Sequence, residues 1–173
     1  MERLFEENKI RTFTGKFIDP LDPDPSLINI IDIAHALAKQ CRFSGHINQF
    51  YSVAEHSMFV SNLMQSDQDK LCGLLHDAAE AYLIDMPRPI KHRLTNFCEI
   101  EDKLHRVIAS VFKIQYPFLD TVKEADNFAL RWEWVNMVIN DRNTGLDHKF
   151  AKRSFLGTYE LLATRIGSLT QNV

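Results

Sequence analysis

The chain has 173 residues, 45% hydrophobic and 25% charged, with a net charge of -3. Those proportions exclude a disordered chain, and the near-neutral charge argues against wholesale binding of nucleic acid or an anionic membrane. Six glycines and six prolines are too few for a turn-rich all-β protein, and the length suits one domain with a substantial core.

Residues 1–26 are predicted as a short irregular arm and residues 27–173 as a helical core. The stretch Met1–Lys9 has no apolar run behind a basic start, so no secretory signal is expected. No uncharged apolar stretch reaches the roughly 18 residues that would span a bilayer. Asp19-Pro20, Asp22-Pro23 and Asp24-Pro25 follow one another closely. Each proline lacks an N–H and pushes its predecessor toward extended backbone, which predicts turns, with a short strand at Arg11–Thr14. Ser26 or Asn29 caps a helix through Ile30, Ile33, Ala34 and Leu37 to about Cys41. Arg42–Tyr51 is a loop broken at Gly45. Ser52 caps the next helix, with Glu55 completing a capping box; Val53, Ala54, Val60 and Met64 mark its buried side, and His56 sits at the edge of that stripe.

Asp67 opens a helix predicted to run through Leu71, Leu74, Leu75 and Ala78 to Leu83. Met86 precedes Pro87 and is not helical, so Asp85 lies just past the end. Pro87–Arg93 is a tight basic connector. Long helices are predicted from Thr95 or Asn96 to Phe112, from Leu119 to Ile139, and from Phe155 to Ile166, with a turn at Asn143–Gly145. The fold class is all-α, a single helical bundle. Cys41, Cys72 and Cys98, odd in number and without a Cys-x-x-Cys pair, are predicted as reduced, mostly core thiols of a cytoplasmic protein.

Chemistry gathers at Leu74-Leu75-His76-Asp77-Ala78-Ala79-Glu80. On a helix turning ~100° per residue, His76, Asp77 and Glu80 fall on or beside one face, and that face is otherwise apolar. An imidazole and two carboxylates there carry a heavy desolvation cost unless a divalent cation satisfies them. His56 and Asp126 are polar residues at apolar stripes of two further helices, so His56, His76, Asp77 and Asp126 form a candidate ligand set from three helices. Taken alone, Asp126 is equally an N-cap or an ion-pair partner of Arg131.

The ordered set His56, His76-Asp77 and Asp126, with Asp85 and the Pro87-Arg88-Pro89 that follows, resembles the HD-domain metal-dependent phosphohydrolases. It is most similar to their bacterial 5′-deoxynucleotidase branch and to related phage and prophage phosphohydrolases. The likeness runs from about Arg42 to Asp126 and includes Ala54-Glu55-His56-Ser57. It implies an HD-type helical bundle with one divalent ion (manganese, cobalt, iron, nickel, zinc or magnesium) on His56, His76, Asp77 and Asp126. It implies Glu80, with Asp77, in catalysis, Glu80 as acid/base. It implies Arg42 orienting a substrate phosphate, with Phe43, Asp85, Met86, Pro87 and Arg88 around the substrate. Two residues depart from the branch's pattern: Phe43 stands for a tryptophan and loses its indole N–H, and Arg88 stands for a small polar residue and adds a cation.

The expected function is therefore removal of phosphate from nucleotides, foremost (deoxy)ribonucleoside 5′-monophosphates. The alternatives are a hydrolase of nucleoside di- or triphosphates or alarmone-like nucleotides, motivated by Arg88 and Lys91, and a non-catalytic nucleotide-binding regulator. A small-molecule nucleotide is the expected partner, with no stable nucleic-acid partner and no membrane. The aromatic bulk near Trp132 suggests a homodimer; Phe128, Trp132 and Trp134 are assigned to core or subunit interface.

Overall fold

The proline-punctuated stretch folds back on itself. In the computed structural model, which describes residues 8–142 and 144–170 with side chains to residue 167, β1 (Ile10–Arg11) pairs antiparallel with β2 (Phe17–Ile18). The predicted strand at Arg11–Thr14 is thus mostly the turn between them, closed by Gly15 at φ 88°. Asp32, buried, fastens that turn to the helical body. Its carboxylate accepts from Thr14 N, Thr14 Oγ1 and Asn29 Nδ2, each at 2.7 Å. Residues 1–7 of the expected arm, and Asn143 of the expected turn, lie outside the described residues.

Asn29, not Ser26, caps α1 (Ile30–Leu37), accepting from Asp32 N at 3.0 Å. Ser26 instead sits in a single 3-10 turn, Pro25–Leu27, whose cap is Asp24. The expected capping box opens α2 (Val53–Leu63): Ser52 N donates to Glu55 Oε2 at 2.9 Å and Glu55 N to Ser52 Oγ at 3.2 Å. Ser66 caps α3 (Asp67–Leu75).

α3 ends at Leu75 rather than continuing to Leu83. His76 Nδ1–H donates to Gly73 O at 2.8 Å, the carbonyl that a continuing helix would offer to the Asp77 N–H. Asp77 takes φ -101°, ψ 14°, and Ala78–Ala81 forms a 3-10 turn. One helical turn, α4 (Arg88–Lys91), precedes α5 (Thr95–Phe112), which stops at Lys113 in the left-handed conformation, φ 54°. α6 (Asp120–Glu133) runs on without interruption into a π-helical segment, Trp134–Ile139. The last helix, α7 (His148–Thr170), begins earlier than Phe155, because Asp147 Oδ1 accepts from Lys149 N at 2.9 Å and provides a start.

The protein is all-α apart from the two short strands. α2 packs against α3, α6 and α7, while α1 and α5 pack on the 78–81 turn. Ile33, Leu37, Val53, Val60, Leu74, Leu75, Leu104, Ile108 and Phe155 fill the space between them. Gly73 lets α3 approach α2 closely: a Cβ there would lie 3.1 Å from Ser61 Cα. Of the three free cysteines only Cys72 is buried; Cys41 and Cys98 are half-buried. No helix among the described residues is long and apolar enough to cross a membrane.

Candidate functional site

Three segments deliver the expected ligands to one point. His56 Nε2, from α2, lies 3.1 Å from Asp126 Oδ1 of α6, and His76 Nε2, just past α3, lies 3.8 Å from the same oxygen. Asp77 Oδ2 is 3.3 Å from His76 Nε2 and 3.6 Å from His56 Nε2. The donor atoms of His56, His76 and Asp126 all fall within 4.8 Å of one another. That cluster can hold a metal ion.

The hydrogen bonding around it fits a cation. His56 Nδ1 donates to Glu133 Oε1 at 2.7 Å, which leaves Nε2 facing the Asp126 carboxylate; two acceptors stand there unless a proton or a metal ion lies between them. His76 Nδ1 is spent on Gly73 O, while its buried Nε2 makes no hydrogen bond. The charges agree. Burial opposes a proton on His76, but Asp77 and Asp126 outweigh it and lift the imidazole to about 9. Burial also works against the charged forms of Asp77 and Asp126, and the neighbouring imidazoles nevertheless hold both carboxyls below the ordinary range. Positive charge is what this cluster is built to receive.

Glu133, absent from the sequence-based set, ties the site together. It is fully buried on α6, seven residues after Asp126 and so on the same face. Besides His56 it accepts from Tyr51 OH at 3.1 Å and from Arg42 Nε at 3.1 Å and NH2 at 3.0 Å. Arg42 NH1 is left 3.9 Å from Asp77 Oδ2. The loop that carries Arg42 is pinned at its base, Arg42 N donating to Tyr51 O at 2.9 Å and Val53 N to Gln40 O at 3.1 Å. Phe43 (φ 56°) and Ser44 (φ 52°) are both left-handed, a conformation costing about 1–2 kcal/mol per non-glycine residue. This turn sends the Arg42 side chain into the protein while Phe43 stays half-buried beside the cleft.

Glu80 takes a different position from the one a continuous helix predicts. It is buried on the 3-10 turn, and its Oε2 has no hydrogen-bond partner. Burial first, then the charges of Asp77 and Asp85, push its carboxyl well above the ordinary value, so it holds a proton more readily than a free glutamate. Gln40 clamps the segment, donating to Glu80 O at 2.8 Å and accepting from Asp85 N at 3.0 Å. Burial also raises Asp85, against the pull of Arg42.

All six expected substrate-side residues, Arg42, Phe43, Asp85, Met86, Pro87 and Arg88, line one cleft of about 870 Å³. His46, Leu130, Arg131, Trp134, Val135 and Val138 are among the other residues that line it. Arg88 does not extend freely: its NH2 donates to Asp126 Oδ2 at 2.8 Å and its NH1 to Asn127 Oδ1 at 3.0 Å. Asp126 is therefore paired with Arg88, not with Arg131. Lys91 is bound to Glu101 at 2.6 Å.

Relatives extend the picture beyond one chain. The uncharacterized protein YfdR of Escherichia coli K12 is 37% identical over 134 residues, 76% of this chain and 74% of its own length. This chain belongs to the YfdR family. The uncharacterized protein RCAP_rcc00048 of Rhodobacter capsulatus is 35% identical over 136 residues, 71% of this chain and 69% of that protein. No protein-family model matches the chain.

Three residues of this YfdR-family site escaped the sequence. Glu133 carried a readable signal, a carboxylate in heptad register with Asp126 on an otherwise apolar face. Gln40 carried none, since a glutamine near a helix end is ordinary. Trp134 was assigned to core or interface, yet it is half-exposed and lines the cleft; Trp132 packs on Phe59 instead, ring centroids 5.3 Å apart.

Proposed function

We propose that this YfdR-family protein is an HD-type phosphohydrolase that removes phosphate from nucleotides, foremost (deoxy)ribonucleoside 5′-monophosphates. The observation that carries this is one juxtaposition. Two imidazoles and two carboxylates with a metal-sized gap stand beside Arg42, which also lines a cleft with a largely apolar wall. His56, His76, Asp77 and Asp126 would hold one divalent ion. Such an ion lowers the pKa of bound water and offsets charge on a phosphate.

The chain's own groups supply the rest. Arg42, fixed through Nε and NH2 by Glu133, directs its remaining NH1 end toward the phosphate position beside Asp77. Glu80, with a raised pKa and an unpartnered Oε2, exchanges a proton with the attacking water or the leaving 5′-oxygen. Water adds to phosphorus, the P–O5′ bond breaks, and nucleoside and inorganic phosphate result. Arg88 and Lys91, the cations that motivated a longer phosphate chain, are already engaged by Asp126 and Glu101, which favours the monoester. Arg131 on the exposed side of the cleft favours the second reading, a nucleoside di- or triphosphate.

The test is phosphate release across a panel of nucleoside mono-, di- and triphosphates, with each of several divalent metals and after chelation. Monophosphates should release inorganic phosphate, chelation should abolish it, and Glu80→Gln should lower kcat by roughly 100-fold or more. Pyrophosphate or tripolyphosphate as product would select the second reading. A metal-loaded protein that turns over nothing in the panel would end the proposal.

A further inference from the structure

We infer that the outer part of the cleft is a nucleobase subsite whose stacking wall is Trp134; the inference rests on the phosphomonoesterase proposed above. Trp134 begins the π-helical segment and lines the cleft at 51% exposure, an unusual situation for an indole with no covering group. Phe43 stands edge-on to it, ring centroids 6.1 Å apart and planes at 61°. Rings at that angle make a corner rather than a closed stack, so a face of the indole stays available. The left-handed turn at Phe43 and Ser44 holds the other side of that corner in place.

Most of the remaining wall is hydrocarbon, Leu130, Val135 and Val138 from the continuing helix with Met86 and Pro87 from the segment before α4, and Ser44, His46 and Arg131 add polar groups. Arg42 lines this same cleft and reaches to 3.9 Å from Asp77. The cleft therefore suits a ligand with an anion at the Arg42 end and a flat apolar body along Trp134. A 5′-nucleotide has both. With few polar groups among these mostly aliphatic neighbours, the subsite separates a base from no base more strongly than one base from another. A stacked base is worth roughly 5- to 150-fold in affinity.

The chain has two tryptophans, and Trp132→Phe leaves Trp134 as its only indole. Fluorescence of that variant, with Mg²⁺ present, is titrated with adenosine 5′-monophosphate, adenosine and ribose 5-phosphate. Saturable change with the first two and none with the third is expected. In the parent chain, Trp134→Ala should shrink the kcat/KM preference for adenosine 5′-monophosphate over ribose 5-phosphate by about 10-fold or more, mainly through KM. Trp134→Phe should keep most of it. The subsite is overturned if calorimetry shows nucleotide binding without any change in Trp134 emission, or if Trp134→Ala keeps the parental preference. It is likewise overturned if neither adenosine nor its monophosphate binds. Equal turnover of nucleotide and ribose 5-phosphate with a silent indole removes the subsite and leaves the phosphohydrolase standing. Saturable emission change without phosphate release does the reverse.

Discussion

Glu133→Gln keeps the shape of a buried side chain and removes its charge where the proposed metal ligand His56 and the proposed phosphate anchor Arg42 meet. Both glutamate oxygens only accept: Oε1 from His56 Nδ1 and Tyr51 OH, Oε2 from Arg42 Nε. A glutamine has one accepting end, so whichever way it turns, an amide N–H faces either Arg42 or the His56–Tyr51 pair. Arg42 also keeps its buried charge, with Asp77 at 3.9 Å as the remaining close carboxylate. Removing one partner of such a pair costs about 3–5 kcal/mol. For a chain of this length that is a fall in Tm of about 6–20 °C. Loss of the group that orients His56 should weaken metal binding by about 10- to 100-fold.

Thermal unfolding in the presence of a chelator reads the first effect, and competition against a chromophoric chelator reads the second. Adding Arg42→Met to Glu133→Gln should regain part of the Tm, because the unpaired buried cation is gone while the amide oxygen can still accept from His56 Nδ1 and Tyr51 OH, without restoring the parental metal affinity. The pH dependence has a fixed sign. Burial opposes the Glu133 carboxylate but His56 and Arg42 outweigh it, so its native pKa lies below 4.5. Its contribution is present above pH 4.5 and fades as pH falls through the lowered native value. If Glu133→Gln melted within about 2 °C of the parent and bound metal equally well, the network would not be what holds His56 and Arg42.

Gly73→Ala would bring a Cβ to 3.1 Å from Ser61 Cα and 3.2 Å from Ser61 N, so α2 and α3 must part slightly. The expected cost is about 1–3 kcal/mol in urea unfolding. Because α2 carries His56 and α3 leads into His76, metal affinity should fall with it; unchanged metal titration would show that the helix spacing does not set the ligand spacing. His105 stacks on Tyr116 with its Nδ1 buried and unpartnered, and burial holds its pKa down at about 4, from 6.5. The unfolded chain thus takes up a proton that the native one refuses. His105 costs nothing above pH 6.5 and erodes stability as pH falls toward 4. His105→Leu should flatten the loss of urea midpoint over that interval, and equal slopes in parent and variant would refute it.

Periodicity and capping carried most of the fold. Ser52 with Glu55 announces α2, and the apolar spacing of Ile100, Leu104, Val107 and Ile108 announces α5, because these signals are local hydrogen bonds and one-sided burial. Between Ser26 and Asn29 the sequence alone could not choose, since either hydroxyl or amide can cap; Asp32, drawn to the Thr14 turn, decides it. The candidate metal-binding cluster was legible because histidines and acids on apolar faces are costly without a shared purpose. Its supports were not: Gln40 contacts Glu80 and Asp85 across 40 and 45 residues, and Glu133 meets Arg42 across 91. Pairings at that separation follow from packing, which a residue pattern does not contain.

The break after Leu75 is the point at which local and tertiary demands diverge. In a continuous helix His76 and Glu80 would stack as i and i+4 neighbours, and both would compete for one cation. Ending the helix with a His76 Nδ1–H bond to Gly73 O places Nε2 within 3.3 Å of Asp77 and 3.8 Å of Asp126 and frees the next turn to swing elsewhere. Glu80 then falls under the Gln40 clamp, where burial and the charges of Asp77 and Asp85 raise its pKa. Ligation needs carboxylates held ionised, and proton transfer needs one that takes up and returns a proton more readily. Residues of one short stretch meet both needs only because the helix stops just before them.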